Sequence, residues 1–172
     1  MKYTLMICYR DLVTEPSQTI QKHSALISKH AYCWWGWWKK PIEIVPHQLL
    51  IELATSTEKS PRDVLLYDCG QYHLHKARLI GVDISPLDSG VSSPEIDKTP
   101  DYYVHVKCAV WFKFDNIEAV PNSDKFIKKT TYRAFPSWPV ESRYRDFIGK
   151  KIRNFEELDE MAVTLWQVDI CT

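Results

Sequence analysis

Predicted helices are confined mainly to the first third of the chain, and from Arg62 onward several strand-like segments follow, with hairpin-type turns. That order argues for an α+β fold rather than an alternating sheet of parallel strands. Tyr3 to Tyr9 reads as an opening strand, and Glu15-Pro16-Ser17 opens a helix whose half-buried face, Ile20, His23, Ala25-Leu26-Ile27 and His30, ends near Ala31. His47 to Ala54 predicts a second, short helix. Asp63 to Tyr67, a turn at Asp68-Cys69-Gly70, and Tyr72 to Ile84 predict a hairpin. Ser85 to Pro100 is a long loop, Tyr102 to Phe114 a strand long enough to bend, and Val163 to Ile170 a final strand. Between the last two, Asp124 to Lys129 predicts a short helix, Thr130 to Phe135 a short strand, and Asn154-x-x-Glu157 a capping-box helix start. A small curved or closed β-barrel with flanking helices fits this order, because closure removes the edges of aromatic-rich strands.

At 172 residues, 45% hydrophobic and 26% charged, residues 1–172 are expected to form a single domain. No apolar run is long enough to suggest a membrane span, and Met1-Lys2-Tyr3 lacks the layout of a signal peptide, so the expected location is cytoplasmic, with no membrane partner. The five cysteines are widely spaced with no Cys-x-x-Cys pair, which points to reduced, mostly buried thiols rather than a structural zinc site.

Charge is balanced over the chain, 22 basic against 22 acidic residues, so no global field gathers nucleic acid. Locally it is uneven. Lys125 to Arg153 holds nine basic and two acidic residues interleaved with Phe126, Tyr132, Phe135, Trp138, Tyr144 and Phe147, while 154–172 holds five acidic residues and no Lys or Arg. Such a segment can attract phosphate and stack bases, or serve as a solvated region answered by the acidic end.

The densest aromatic feature is Trp34-Trp35-Gly36-Trp37-Trp38, four of the seven tryptophans. In a strand Trp35 and Trp37 share one face and Trp34 takes the other, unless Gly36 forms a bulge, so at least one or two of the four are structural. Trp111 and Trp166 lie in apolar runs and are expected in the core.

The order of features resembles the PUA-like superfamily, within it the EVE and YTH branch, whose members bind a modified base flipped into an aromatic pocket. The matching pieces are Tyr3-Thr4-Leu5-Met6-Ile7, the helix leading to His30-Ala31-Tyr32-Cys33-Trp34, Val64-Leu65-Leu66-Tyr67, Thr99-Pro100-Asp101-Tyr102-Tyr103 and Trp111-Phe112-Lys113-Phe114-Asp115-Asn116-Ile117. The resemblance implies that Trp34 or Trp35 forms one wall of a cage, Tyr32-Cys33 standing where family readers often have Gly-Val. Tyr102 and Tyr103 stand where YTH readers carry a second cage Trp. Two aromatic faces around a base contribute on the order of 1–3 kcal/mol per stacked base, and a buried methyl only about 0.8, so discrimination also needs polar groups. The candidate ligand-binding set is Trp34, Trp35, Trp37, Tyr67, Asp68, Tyr102, Tyr103, Asn116 and Trp138, with Asp68 and Asn116 supplying hydrogen bonds. Lys39, Lys40, Lys128, Lys129, Arg133, Arg143 and Arg145 are the candidates for flanking phosphates. The expected ligand is DNA or RNA bearing a modified base. By analogy with such readers, a nuclease or NTPase partner module in prokaryotic defence or restriction is the expected context. A free-nucleotide sensor, and a protein-interaction module using the Trp cluster, are the alternatives.

No catalytic constellation completes itself. His73-Leu74-His75 and His105 lack an acidic partner at ligand-like spacing, and neither is followed by the Ser or Thr of a two-histidine phosphoesterase. Five glycines give no Gly-x-Gly, no Gly-x-Ser-x-Gly and no His-Glu-x-x-His. The sequence therefore predicts a protein that is not an enzyme, with no metal site and no cofactor.

Overall fold

A computed structural model describes residues 4–11, 18–41, 43–87, 89–121, 130–134 and 164–170. The elements are β1 (Thr4–Tyr9), α1 (Gln18–His30), β2 (Cys33–Gly36), α2 (His47–Lys59), β3 (Arg62–Asp68), β4 (His73–Ile84), β5 (Val110–Ala119), β6 (Thr130–Ala134) and β7 (Leu165–Ile170). They form one mixed sheet in the order β2-β5-β4-β3-β1-β7-β6. Among the described strands only β1 and β3 pair in parallel, as the crossover through α1, β2 and α2 between them requires; the other neighbours are antiparallel.

The sheet order explains the residue pattern. Strand β3 lies between β1 and β4, and Val64 to Tyr67 are buried on both faces, as an inner strand demands. Helix α1 packs on β2 and β5, and α2 on β4, through Ile20, Leu26 and Ile27 from the first and Leu50 and Leu53 from the second. Leu50 and Leu66 are fully enclosed there, each worth about 1.5–3 kcal/mol of burial. A register shift in β4 around Arg78 to Gly81 bends the long β4–β5 hairpin.

Several sequence expectations change in detail. Among the described residues β2 and β6 end the sheet and no ladder joins them, so the sheet is open there rather than a closed barrel. The second helix runs five residues past Ala54, because Thr57 is buried on the same face as Leu50 and Leu53, its hydroxyl satisfied by the Leu53 carbonyl, so that packing overrides the weak helix propensity of Thr55 to Thr57. Tyr102 to Phe114 is not one strand. Pro100 instead starts a 3-10 turn, Asp101–Tyr103, in which the Tyr103 amide donates to the Pro100 carbonyl, and the strand begins only at Val110. The loop before it carries a second 3-10 turn, Ile96–Lys98, and a bridge between Val91 and Cys108. Strand β2 runs in unbroken register from Cys33 opposite Phe114 to Gly36 opposite Trp111, without a bulge at Gly36. The expected helices at 124–129 and from Asn154, and the first residues of the opening helix at 15–17, lie outside the described residues.

Candidate functional site

Strand β2 divides the tryptophans as the period-two geometry requires. Trp35 and Trp37 join the main core, while Trp34 packs with Tyr103, Cys108 and Trp111 on the other side. Gly36 makes that second cluster possible. A Cβ there would meet Cys108 Sγ at 2.5 Å and the Trp111 ring at 2.9 Å, and the Gly36 carbonyl accepts the Tyr103 hydroxyl at 2.9 Å.

The Trp34 side is a structural clamp. Glu95 accepts the Trp34 indole N–H at 2.9 Å, the Tyr32 hydroxyl at 2.9 Å and the Lys98 ammonium at 2.6 Å, tying the long loop to β2. The Lys98 hydrogen bond, then those of Trp34 and Tyr32, lower the Glu95 carboxyl to about 2. Lys98 and Lys113 lie 4.2 and 3.7 Å from the Tyr32 ring centroid. Trp37 is likewise fixed: its indole N–H donates to Thr164 Oγ1 at 2.7 Å. Thr164 in turn meets the buried Glu43 carboxylate, whose carboxyl is held above its ordinary range by burial.

On the Trp35 side, the end of β1, the first turns of α1 and the 101–103 turn bring a different set together. Trp35 stacks on the His23 ring (centroids 4.2 Å, planes 28° apart) and meets Tyr9 edge-on at 5.2 Å. Tyr102 and Tyr103 present edges to the same imidazole at 6.2 and 6.3 Å. The Thr19 hydroxyl donates to Asp11, and the Tyr102 hydroxyl lies 3.4 Å from His23 Nδ1. Outside this ring, Trp38 is 40% exposed and packs at 6.5 Å from half-buried Tyr102. Lys22 lies 5.6 Å from the Tyr102 ring centroid and pairs with Asp101 at 2.8 Å.

Burial sets the protonation of this set. It lowers His23 to about 4, against a smaller opposing effect of its hydrogen bond to Thr19, so the imidazole is neutral near pH 7. The Tyr9 and Tyr102 hydroxyls are pushed up by burial and stay protonated. The arrangement offers flat apolar surface at Tyr102 and Trp38, with a carboxylate, two hydroxyls and a neutral imidazole beside it, the chemistry needed to hold a planar heteroaromatic ring by face and edge.

Of the residues singled out from sequence, the structure brings Trp35, Tyr102 and Tyr103 together here. Trp34 and Trp37 lie in the clamp and in the Thr164 contact. Tyr67 is fully buried in β3. Asp68 faces Tyr9 across the ladder, but its Oδ1 accepts the Gly70 amide at 2.8 Å and that of Gln71 at 3.3 Å, the work of a turn residue. Asn116 is exposed on β5, opposite Arg78. Lys39 donates to the Glu43 carbonyl at 2.7 Å, and Lys40 is exposed, its backbone amide bound to the Glu43 carboxylate. Arg133 lies in β6, its backbone opposite Gln167, whereas Trp138, Lys128, Lys129, Arg143 and Arg145 lie outside the described residues. Among the described residues no group of three metal-ligating side chains comes together, and no helix is long and apolar enough to cross a membrane.

Asp11, Thr19 and Lys22 were not singled out by sequence reasoning, Trp38 only as a member of the Trp34–Trp38 cluster, and His23 only as part of a helical face. The one signal was a polar pair, Thr19 and His23, spaced four apart on a face otherwise carrying Ile20 and Ile27.

The sequence model of a family described as Pua-like matches residues 5–170. No curated protein and no solved structure matches the chain.

Proposed function

The chain belongs to the Pua-like family, and from that premise we propose that it recognises a modified nucleobase in DNA or RNA, flipped out of its stack and held at the site around Tyr102. PUA-like domains generally bind RNA or other nucleic acid. The observation that carries the finer reading is the half-buried Tyr102 ring beside exposed Trp38, with the hydroxyl of Tyr102 next to Thr19, Asp11 and His23. A flipped base needs this pairing of a stacking face with hydrogen-bonding groups on its edge. Lys22, at the rim, is suited to a neighbouring phosphate. The protein acts in this reading by binding, not by catalysis, as the cytoplasmic reader component of a defence or restriction assembly whose nuclease or NTPase is a separate module.

The test is titration of short single- and double-stranded oligonucleotides, each carrying one modified or unmodified base, with tryptophan fluorescence as the readout and free nucleotides in parallel. One modified base is expected to change the fluorescence selectively, and Tyr102→Ala to abolish the response with the circular dichroism of the fold unchanged. Oligonucleotide binding is expected to weaken steeply with salt, which binding of a free nucleotide need not do. Failure of every oligonucleotide to bind at low salt would refute the proposal.

A further inference from the structure

We infer that the ammonium group of Lys113, held over the Tyr32 ring, is a seat for a backbone phosphate of the bound strand. The inference rests on the reading of the protein as a nucleic-acid binder and concerns a place outside the Tyr102 site. Lys113 alternates on β5 with Phe112 and Phe114 of the main core, so it stands on the opposite face of the sheet, between Trp34 of β2 and Gly81 of β4. Gly81 has no side chain to occupy that space. A Cβ on it would lie 3.5 Å from Cβ and Cδ of Lys113, so the lysine stem rests beside the glycine. The ammonium then sits 3.7 Å from the Tyr32 ring centroid and 5.5 Å from that of Trp34.

The way this charge is held sets it apart. Lys22, Lys76, Arg78 and Lys98 each pair with a carboxylate at 2.6–2.8 Å. Lys113 is held by aromatic rings and meets no carboxylate among the described residues. A ring face orients an ammonium and restrains its stem without cancelling its charge, whereas a carboxylate cancels it. The nearby Glu95 does not supply the balance, because its oxygens accept from Lys98, Tyr32 and Trp34. Lys98 itself lies 4.2 Å from the Tyr32 centroid, so two ammonium groups converge on one ring against a single carboxylate, and one positive charge stays uncancelled. Lys113 Nζ has no hydrogen-bond acceptor among the described residues and is not one of the enclosed polar atoms, so an anion has access to it. Lys98 and Tyr102 lie four residues apart on one segment, at most about 14 Å when fully extended, so the seat is within a few nucleotides of a base held at Tyr102. A contact of this kind positions the strand and carries no base preference.

The experiment titrates the wild type, Lys113→Met, Lys113→Gln and Lys76→Ala with short single-stranded oligonucleotides, modified and unmodified, over a range of salt, with circular dichroism as the check on folding. Both Lys113 variants remove the charge, and Lys113→Met keeps an unbranched stem. Lys76, paired with Glu118, is the control. The Lys113 variants are expected to bind every strand about tenfold more weakly, the loss of one hydrogen bond from a charged group, and to keep the preference between bases. The slope of log affinity against log salt should become shallower by about 0.7, the share of one phosphate on a single strand. Lys76→Ala should keep affinity and slope. An uncharged methylphosphonate linkage moved along the strand should at one position reproduce the loss in the wild type and cost nothing further in Lys113→Met. Wild-type affinity and slope in a folded Lys113 variant, an equal loss in Lys76→Ala, an altered base preference, or a methylphosphonate scan with no such position would overturn the inference while leaving nucleic-acid binding intact. Failure of the wild type to bind any strand would overturn the nucleic-acid reading and this inference together.

Discussion

Acidification should act on this fold first through His23. Its imidazole titrates near 4 in the folded chain, against 6.5 as its ordinary value, because burial disfavours the charged form. The folded-state pKa is the lower one, so between these values the unfolded chain binds the extra proton. The stabilisation is complete above about 6.5 and is lost as pH falls to about 4. A difference of about two and a half pH units corresponds to about 3 kcal/mol, a large share of the 5–15 kcal/mol typical of a domain. Other groups titrate nearby. Partial burial lowers His75 in the same direction, burial raises the Glu43 carboxyl in the opposite sense, and Glu95 loses its charge only towards 2. A difference measurement removes them: urea unfolding of the wild type and His23→Phe, followed by tryptophan fluorescence, at neutral pH and at pH about 5 and about 4. The wild type is expected to lose about 3 kcal/mol relative to the variant over that span. A gap between the two proteins that does not change with pH would refute the buried, neutral imidazole.

Gly36→Ala is expected to destabilise the fold by about 1–3 kcal/mol, since its Cβ would press on Cys108 Sγ and the Trp111 ring inside a packed cluster; a melting temperature equal to that of the wild type would contradict this. Ala31 ends α1 with φ of 67°, a left-handed conformation that L residues adopt at a cost of roughly 1–2 kcal/mol. Ala31→Gly should therefore raise stability by up to about 1 kcal/mol in chemical denaturation, the rest being offset by the added freedom of glycine in the unfolded chain. Glu95→Ala removes the acceptor shared by Tyr32, Trp34 and Lys98, and amide exchange across residues 89–99 should accelerate while that of β3 stays slow. The wild-type loop should loosen in the same way as pH falls from 4.5 towards 2, because the Glu95 pKa is depressed by those same partners.

The sheet was readable because its signals are local. Val64 to Tyr67 is an apolar run too short for a helix, and Asp68-Cys69-Gly70 carries its own turn chemistry in the Asp68 carboxylate. Errors arose where tertiary or side-chain effects overrode the local pattern. Tyr103-Val104-His105-Val106 alternates as a strand should, but Pro100 and the bond from the Tyr103 hydroxyl to Gly36 fold its start into a turn against β2. Thr55, Ser56 and Thr57 hide the end of α2, since nothing in residue type reveals that Thr57 is buried on the same face as Leu50 and Leu53.

The aromatic content of the site was readable and its polar content was not, for a physical reason. Tryptophan and tyrosine are rare and large enough for a cluster of them to be a signal in itself, and Trp35, Tyr102 and Tyr103 do converge. The atoms that would distinguish one base from another belong to an aspartate after a strand, a threonine at a helix start and a histidine on a helical face, each ordinary where it stands. Their meaning comes from what each has left to offer once its neighbours are satisfied. Thr19 engages Asp11 through its hydroxyl and His23 through its carbonyl, so two bonds within and beside one helix turn decide which imidazole nitrogen remains bare. That property belongs to the folded pair. It implies that Thr19→Ala, which keeps the carbonyl, should preserve the His23 tautomer, with the proton on Nδ1 in nitrogen-15 spectra, while taking one donor away from the Asp11 carboxylate. A Thr19→Ala protein whose imidazole carried its proton on Nε2 would show that the hydroxyl, not the carbonyl, sets the tautomer.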